Sequence, residues 1–230
     1  MPGLGGINGL DPLPSEIADD DLVLVDRGNF VYSTPVLQIP EPLTPRRQLV
    51  APLLSDFPTA VNFLNLNDVT QLDDGIRMYA DRRHTDQIAA RVRPLPGAWS
   101  VTLGVVKGFR HGNTQAGLIL RESATGKLMF HSYGVSSVPG WFISRYTNPT
   151  TFGAVVVNYH ERGQGIMWQR FTLNGSNIEY YISVDGLSFK HMGSVAQTTP
   201  FTTTPDQWGF YMNNSNAFLP TWLDIIDWDE

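Results

Sequence analysis

The chain contains no cysteine. Disulfide frameworks, cysteine-ligated zinc, iron–sulfur clusters and thiol nucleophiles are therefore excluded. Lysine and glutamate are scarce, at 3 and 6 residues, against 13 arginines and 16 aspartates. Lys and Glu are favoured on exposed helix faces, so their scarcity argues against a helical architecture. Charged residues make up 17%, below the roughly 25% of an average domain. The net charge is −6 and no basic stripe interrupts it. The doublets Arg46-Arg47 and Arg82-Arg83 are too short to form a patch, so no nucleic-acid partner is expected. No apolar run approaches the roughly 18 residues of a membrane span, and no membrane insertion is expected. Residues 1–6 show neither the basic nor the apolar region of a signal peptide. The expectation is a chain made in a cytoplasm that reaches any outer destination by another route.

What is abundant points one way. The 21 glycines, 16 prolines and 18 threonines favour strands and turns over helices. A length of 230 residues accommodates one large β domain, or one domain with a short extra module. Residues 1–40 are expected to hold an extended start and a small hairpin. Its strands are Leu22-Val23-Leu24-Val25 and Phe30-Val31-Tyr32-Ser33-Thr34, and its turn is Arg27-Gly28-Asn29. A lone hairpin is marginal in water and needs a partner surface. Leu22, Leu24, Phe30 and Tyr32 are its candidate assembly residues. Prolines 35, 40, 42, 45, 52 and 58 then predict a stiff linker over residues 41–59.

From residue 60 to 230 short apolar stretches alternate with turn pairs such as Asp74-Gly75, Asn174-Gly175 and Asp185-Gly186. Trp99, Val101, Leu103 and Val105 share one face of a predicted strand. Ile178, Tyr180, Ile182 and Val184 share one face of another. Further strands are predicted at 87–93, 115–121, 127–135, 140–146, 154–160, 165–172, 188–195, 207–212 and 222–228. So many strands in this length indicate an antiparallel two-sheet β-sandwich or a barrel.

Five stretches carry a family resemblance. They are AGLILRESATGKL at 116–128, IMWQRF at 166–171, YISVDGLSF at 181–189, DQWGF at 206–210 and IDW at 226–228. In this order they resemble the concanavalin A-like, laminin-G-like jelly-roll sandwich of bacteriophage virion proteins, over roughly residues 57–230. The segment ADDDLVLVDRG at 18–28 resembles an element that precedes the distal domain of phage fibre proteins. The resemblance implies a virion location and a tail-fibre or receptor-binding role. It further implies a homotrimer, contacts with other virion proteins and contact with a host-surface glycan. A capsid decoration protein and a cellular carbohydrate-binding module remain open as alternatives. Trp99, Trp168, Trp208 and Trp228 fall at core positions of the resemblance. Fold likeness alone does not give function.

Catalytic chemistry has little local support. Some relatives of this sandwich are glucanases, and glycoside hydrolysis needs two carboxyl groups about 5–10 Å apart. The nearest acidic cluster is Asp224, Asp227, Asp229 and Glu230, read as the solvated end of a final strand. Asn65, Asn67, Asp68, Asp73 and Asp74 lie close together but form no calcium loop and read as turn formers. His84, His111, His131, His160 and His191 show no zinc spacing. No Gly-x-Ser-x-Gly elbow is present. No catalytic residue, metal or cofactor is expected. The remaining candidates are ligand contacts: Trp141, Arg145, Tyr146 and Asn148, which combine aromatic faces with polar groups. One face of the strand from Trp141 is expected to be exposed or to line a groove. Tyr159 to Gly163 and Trp222 are weaker candidates.

Overall fold

The alternation at residues 99–105 is realised in full. Trp99, Val101, Leu103 and Val105 all point into one hydrophobic core. The computed structural model describes residues 22–26, 31–35, 47–63, 67–80, 88–108, 113–135, 139–159, 165–215 and 220–230. Two compact units are present, residues 1–45 and 46–230.

In the first unit, β1 (Leu22–Asp26) pairs antiparallel with β2 (Val31–Pro35). Leu22, Leu24 and Tyr32 lie in this hairpin, with Leu24 opposite Ser33 and Tyr32 opposite Val25. Phe30 lies outside the described residues.

The second unit contains β3 (Thr59–Val61), β4 (Asn67–Leu72), β5 (Gly75–Ala80), β6 (Ile88–Pro94) and β7 (Ser100–Gly108). There follow β8 (Asn113–Arg121), β9 (Leu128–Val135), β10 (Pro139–Asn148), β11 (Thr151–Tyr159) and β12 (Met167–Asn174). The last are β13 (Asn177–Ser183), β14 (Lys190–Ala196), β15 (Gln207–Ser215) and β16 (Thr221–Asp229). They form two seven-stranded antiparallel sheets. The first runs β11-β10-β9-β8-β15-β6-β3, and the second runs β14-β13-β12-β7-β16-β5-β4. The expected β-sandwich is the fold. No helix among the described residues is long and apolar enough to cross a membrane.

The main core lies between the sheets. Leu118, Leu120, Phe210, Met212 and Met129 reach it from the first sheet, and Phe171, Ile178, Leu223 and Ile225 from the second. Their sequence neighbours Ile119, Tyr211, Leu128 and Phe130 join a separate cluster with Ile88, Val92 and Tyr146. Adjacent strand residues point to opposite faces, so this second cluster covers the outer face of the first sheet. The hairpin of β10 and β11 closes over it. The sheet order places β9, β8 and β15 between β10 and β6, yet the Ile88 amide donates to the Pro149 carbonyl at 3.0 Å. Register shifts after Ile143, Arg145 and Tyr146 supply the bend. Tyr146 lies edge-on to both Phe130 and Phe152.

Two expectations about the edges of the domain are corrected. Residues from Arg47 onward, read as linker, pack onto the sandwich. Phe57 is fully buried among Trp208, Phe210 and Trp228. Gln71 accepts the Leu54 amide at 2.6 Å and donates to the Pro52 carbonyl at 3.2 Å. Of the C-terminal acids, Asp229 and Glu230 are exposed at the end of the last strand, as expected, but Asp227 is not. A register shift between Ile225 and Asp227 turns Trp228 toward the core and leaves Asp227 buried on the outer face of the second sheet. There Asp227 binds the side chains of Arg47 and Trp168. Asp224 pairs with Arg77, Asp229 with Arg47 and Glu230 with Arg93.

Candidate functional site

The candidate site lies where the β10–β11 hairpin leaves the first sheet. A cleft of about 360 Å³ opens there, lined by Lys127, Arg145, Tyr146, Thr147, Gly153, Thr199 and Pro200. Three parts of the chain meet in it: the entry to β9, the bent hairpin, and the loop joining β14 to β15.

That loop is held rigidly. Phe201 anchors it in the core. Glu122 is buried and accepts hydrogen bonds from the Thr202 amide (3.1 Å), the Thr203 amide (2.6 Å), the Thr203 hydroxyl (2.5 Å) and the Thr125 hydroxyl (2.5 Å). Burial alone would raise the Glu122 carboxyl. The four donors outweigh it and hold the group at about 2, by favouring the charged form. The fixed loop presents the Thr199 carbonyl to Arg145 Nη1 at 2.9 Å. It presents the Thr202 hydroxyl to Lys127 Nζ at 2.7 Å.

Two half-buried cations thus converge on one cleft whose described lining contains no carboxylate. Gly153 completes the arrangement. A Cβ at this position would lie 2.9 Å from the Arg145 carbonyl oxygen and 3.3 Å from its Cγ. Glycine therefore lets β11 approach the stem of Arg145 without displacing it.

The four predicted ligand residues divide. Arg145 and Tyr146 line the cleft. Trp141 does not, because it is 3% exposed and packs edge-on against Tyr133 in the main core. The ring of Trp141 is therefore not exposed. Phe142, Ser144 and Tyr146 on the other strand face are also buried, with Tyr146 at 4%. Both faces of this strand have apolar partners, and Tyr146 is nearly covered where it lines the cleft. Asn148 caps its own turn, accepting the Thr150 amide and hydroxyl, each at 3.0 Å. Lys127, Thr199 and Gly153 were not anticipated. Gly153 falls at the irregularity between the Arg145–Ala154 and Tyr146–Phe152 pairs, and nothing local in the sequence marks any of the three. Trp222 covers Gly108 and stacks with Arg77 at 5.0 Å. Residues 160–163 lie outside the described residues.

A second polar group of residues sits inside the sandwich. The Lys107 amine donates to the Ala116 carbonyl and, at 3.0 Å, to the Tyr133 carbonyl. It lies 5.4 Å and 5.8 Å from the ring centres of Tyr133 and Trp141. Burial pushes this amine well below its ordinary value. His131 is 1% exposed. Burial first, and the charge of Lys107 second, push it down to about 3. The void beside His131 and Trp141 has no space for a water molecule, so this group is packing rather than a binding site. Among the described residues, no group of three or more His, Asp or Glu is placed to hold a metal ion.

No protein-family model matches the sequence, and no curated protein matches it. Solved structures do match the fold. A functionally unknown protein from Saccharomyces cerevisiae superposes with a TM-score of 0.56 at 16% identity, covering 76% of this chain and 96% of that one. The GH43 protein BlXynB from Bacillus licheniformis superposes with a TM-score of 0.51 at 14% identity. That match covers 66% of this chain but only 32% of the BlXynB chain, about a third of its length. At these identities the likeness is one of fold.

Proposed function

We propose that this chain is a non-catalytic virion component of the tail-fibre or receptor-binding type, and that its sandwich contacts a host-surface glycan in the Arg145 cleft. The observation that carries the reading is the cleft itself. It is concave, fixed by a rigid loop, and rich in donors that converge on one volume. Its size falls within the roughly 300–1,000 Å³ of small-molecule sites.

The non-catalytic part rests on the carboxylates. Glycoside hydrolysis needs two of them facing a substrate. Asp224, Asp227, Asp229 and Glu230 are each engaged by an arginine, and Glu122 is spent on four donors from its own loops. The virion part rests on the order of elements: a hairpin resembling those of fibre proteins, a proline-rich stretch, then a sandwich. In this reading the hairpin joins sister chains into a trimer and meets other virion proteins. Several weak sugar sites on one particle then act together, and linked sites gain about 10²–10⁴ over a single one.

The test has two parts. The intact chain is applied to a glycan array, and labelled antibody against it is imaged on purified particles. Binding to a defined glycan class with label at the tail supports the reading. Label over the capsid shell reassigns the protein as a decoration protein. Sugar binding with no particle association makes it a free-standing carbohydrate-binding module.

A further inference from the structure

Resting on the reading that the Arg145 cleft holds glycan, we infer that the glycan it takes carries an oxyanion, seated between Arg145 and Lys127. The group is a carboxylate on an acidic sugar or a phosphate on a sugar or polyol chain.

Three features of the cleft separate an anionic sugar from a neutral one. The first is charge. Both ionised side chains of the lining, Lys127 and Arg145, are cations, in a chain whose net charge is −6. The second is donor capacity. A guanidinium carries five N–H donors and an ammonium three. Arg145 gives Nη1 to the Thr199 carbonyl, and Lys127 gives one bond to the Thr202 hydroxyl. Those two bonds aim the side chains and leave the remaining donors for an acceptor-rich ligand. A planar guanidinium suits the paired oxygens of a carboxylate or phosphate.

The third feature is the missing hardware for neutral sugars. A neutral ring presents hydroxyl donors and an apolar face. The cleft offers no carboxylate to accept from the hydroxyls. Its one aromatic residue, Tyr146, is 4% exposed and turns no ring face outward for stacking.

The fixed loop adds pre-organisation. Because Glu122 pins Thr202 and Thr203, and Gly153 leaves room for the arginine stem, the cations need little rearrangement to meet an anion. Rigid placement of charge raises affinity by lowering the ordering cost of binding.

The test uses the intact chain and three probes of matched length, measured by calorimetry. They are a galacturonate oligomer (carboxylate), a glycerol-phosphate oligomer (phosphate) and a neutral galactan oligomer. The expected result is binding of one anionic probe that weakens as salt is raised, with the neutral probe weaker. Whichever anionic probe binds identifies the source of the oxyanion. Arg145→Met is expected to weaken that binding by roughly tenfold or more, the loss of a charge-assisted hydrogen bond. Lys127→Gln provides an independent variant should Arg145→Met fail to fold.

Equal binding of the neutral probe overturns the oxyanion and leaves the glycan reading standing. Binding of none of the three, nor of any glycan on the array, overturns both. Anion binding unchanged in folded Arg145→Met and Lys127→Gln also overturns the inference, because the site is then elsewhere. Inorganic phosphate competing as well as the oligomer reduces the site to a simple anion contact and overturns it too.

Discussion

Asp227 accepts the indole N–H of Trp168 at 2.7 Å through a carboxylate with no exposure to solvent. The same carboxylate takes Arg47 Nε at 2.5 Å and the Val50 amide at 2.8 Å. It thereby clasps the strap at residues 47–50 onto the outer face of the second sheet. Gly104 is the register partner of both Trp168 and Asp227, and a Cβ there would lie 2.7 Å from the indole nitrogen. Replacing one member of a buried ion pair strands the other, at about 3–5 kcal/mol. Asp227→Asn is expected to lose that much in urea unfolding, and residues 47–53 are expected to become sensitive to protease. Trp168→Phe removes only the indole donor and is expected to cost about 1–3 kcal/mol. An Asp227→Asn protein as stable as the parent would show that the clasp contributes nothing.

Acid stability separates two buried groups by pH. His131 titrates near 3 in the folded chain, against 6.5 for an unperturbed histidine. Between those values the unfolded chain binds a proton that the folded chain refuses. Stability therefore falls as pH is lowered from about 6.5. Glu122 is depressed from 4.5 to about 2. Its contribution is complete above 4.5 and is lost as pH falls toward 2. Unfolding free energies measured from pH 7 to 3 should decline in both windows. His131→Phe is expected to flatten the decline above pH 5, and Glu122→Gln only the decline below 4.5. A flat profile between pH 6.5 and 5 in the parent chain would contradict the His131 assignment.

The sandwich was largely legible in the sequence because alternation and turn pairs are local signals. Residues 99–105 and 178–182 were read correctly down to the face. Val184 was not. The strand ends at Ser183, whose hydroxyl receives the Asp185 and Gly186 amides, and this leaves Val184 77% exposed. Strands β4 and β5 went unread because Asn67-Asp68 and Asp73-Asp74 look like turn residues. The first pair nonetheless lies within β4, opposite Ala80 and Tyr79. Arg145 and Tyr146 were legible as neighbours in one strand. The rest of the cleft was not, since Lys127 and Thr199 come from other elements and meet Arg145 only after folding. Trp141 was misplaced because alternation identifies two faces without saying which is covered, and here both are.

Trp141 therefore offers a clean separation of stability from binding. Its ring lies 5.3 Å from that of Tyr133 and 5.7 Å from that of His131. Trp141→Ala is expected to cost about 3–5 kcal/mol, the usual loss for a buried aromatic. Glycan affinity per folded molecule should be unchanged, because the residue is absent from the cleft lining. Calorimetry corrected for the folded fraction checks this. A selective loss of affinity at full folding would return Trp141 to the binding site.

Assembly is tested by where the chain is cut. A two-stranded hairpin is marginal by itself, so β1 and β2 are expected to be stabilised by sister chains. Light scattering on the intact chain should give the mass of a trimer, and a chain beginning at Arg46 should be monomeric. The shortened chain keeps Arg47, Val50 and Phe57, and hence the Asp227 clasp and the aromatic cluster around Phe57. Its unfolding free energy should match that of the sandwich in the parent. A chain beginning at Ala60 lacks all three residues. It is expected to be markedly less stable, since it loses buried Phe57 from the aromatic cluster and both strap partners of Asp227. If the intact chain is a monomer, the hairpin is no trimerisation element, and the fibre reading loses its main support to a decoration protein or a simple sugar-binding module.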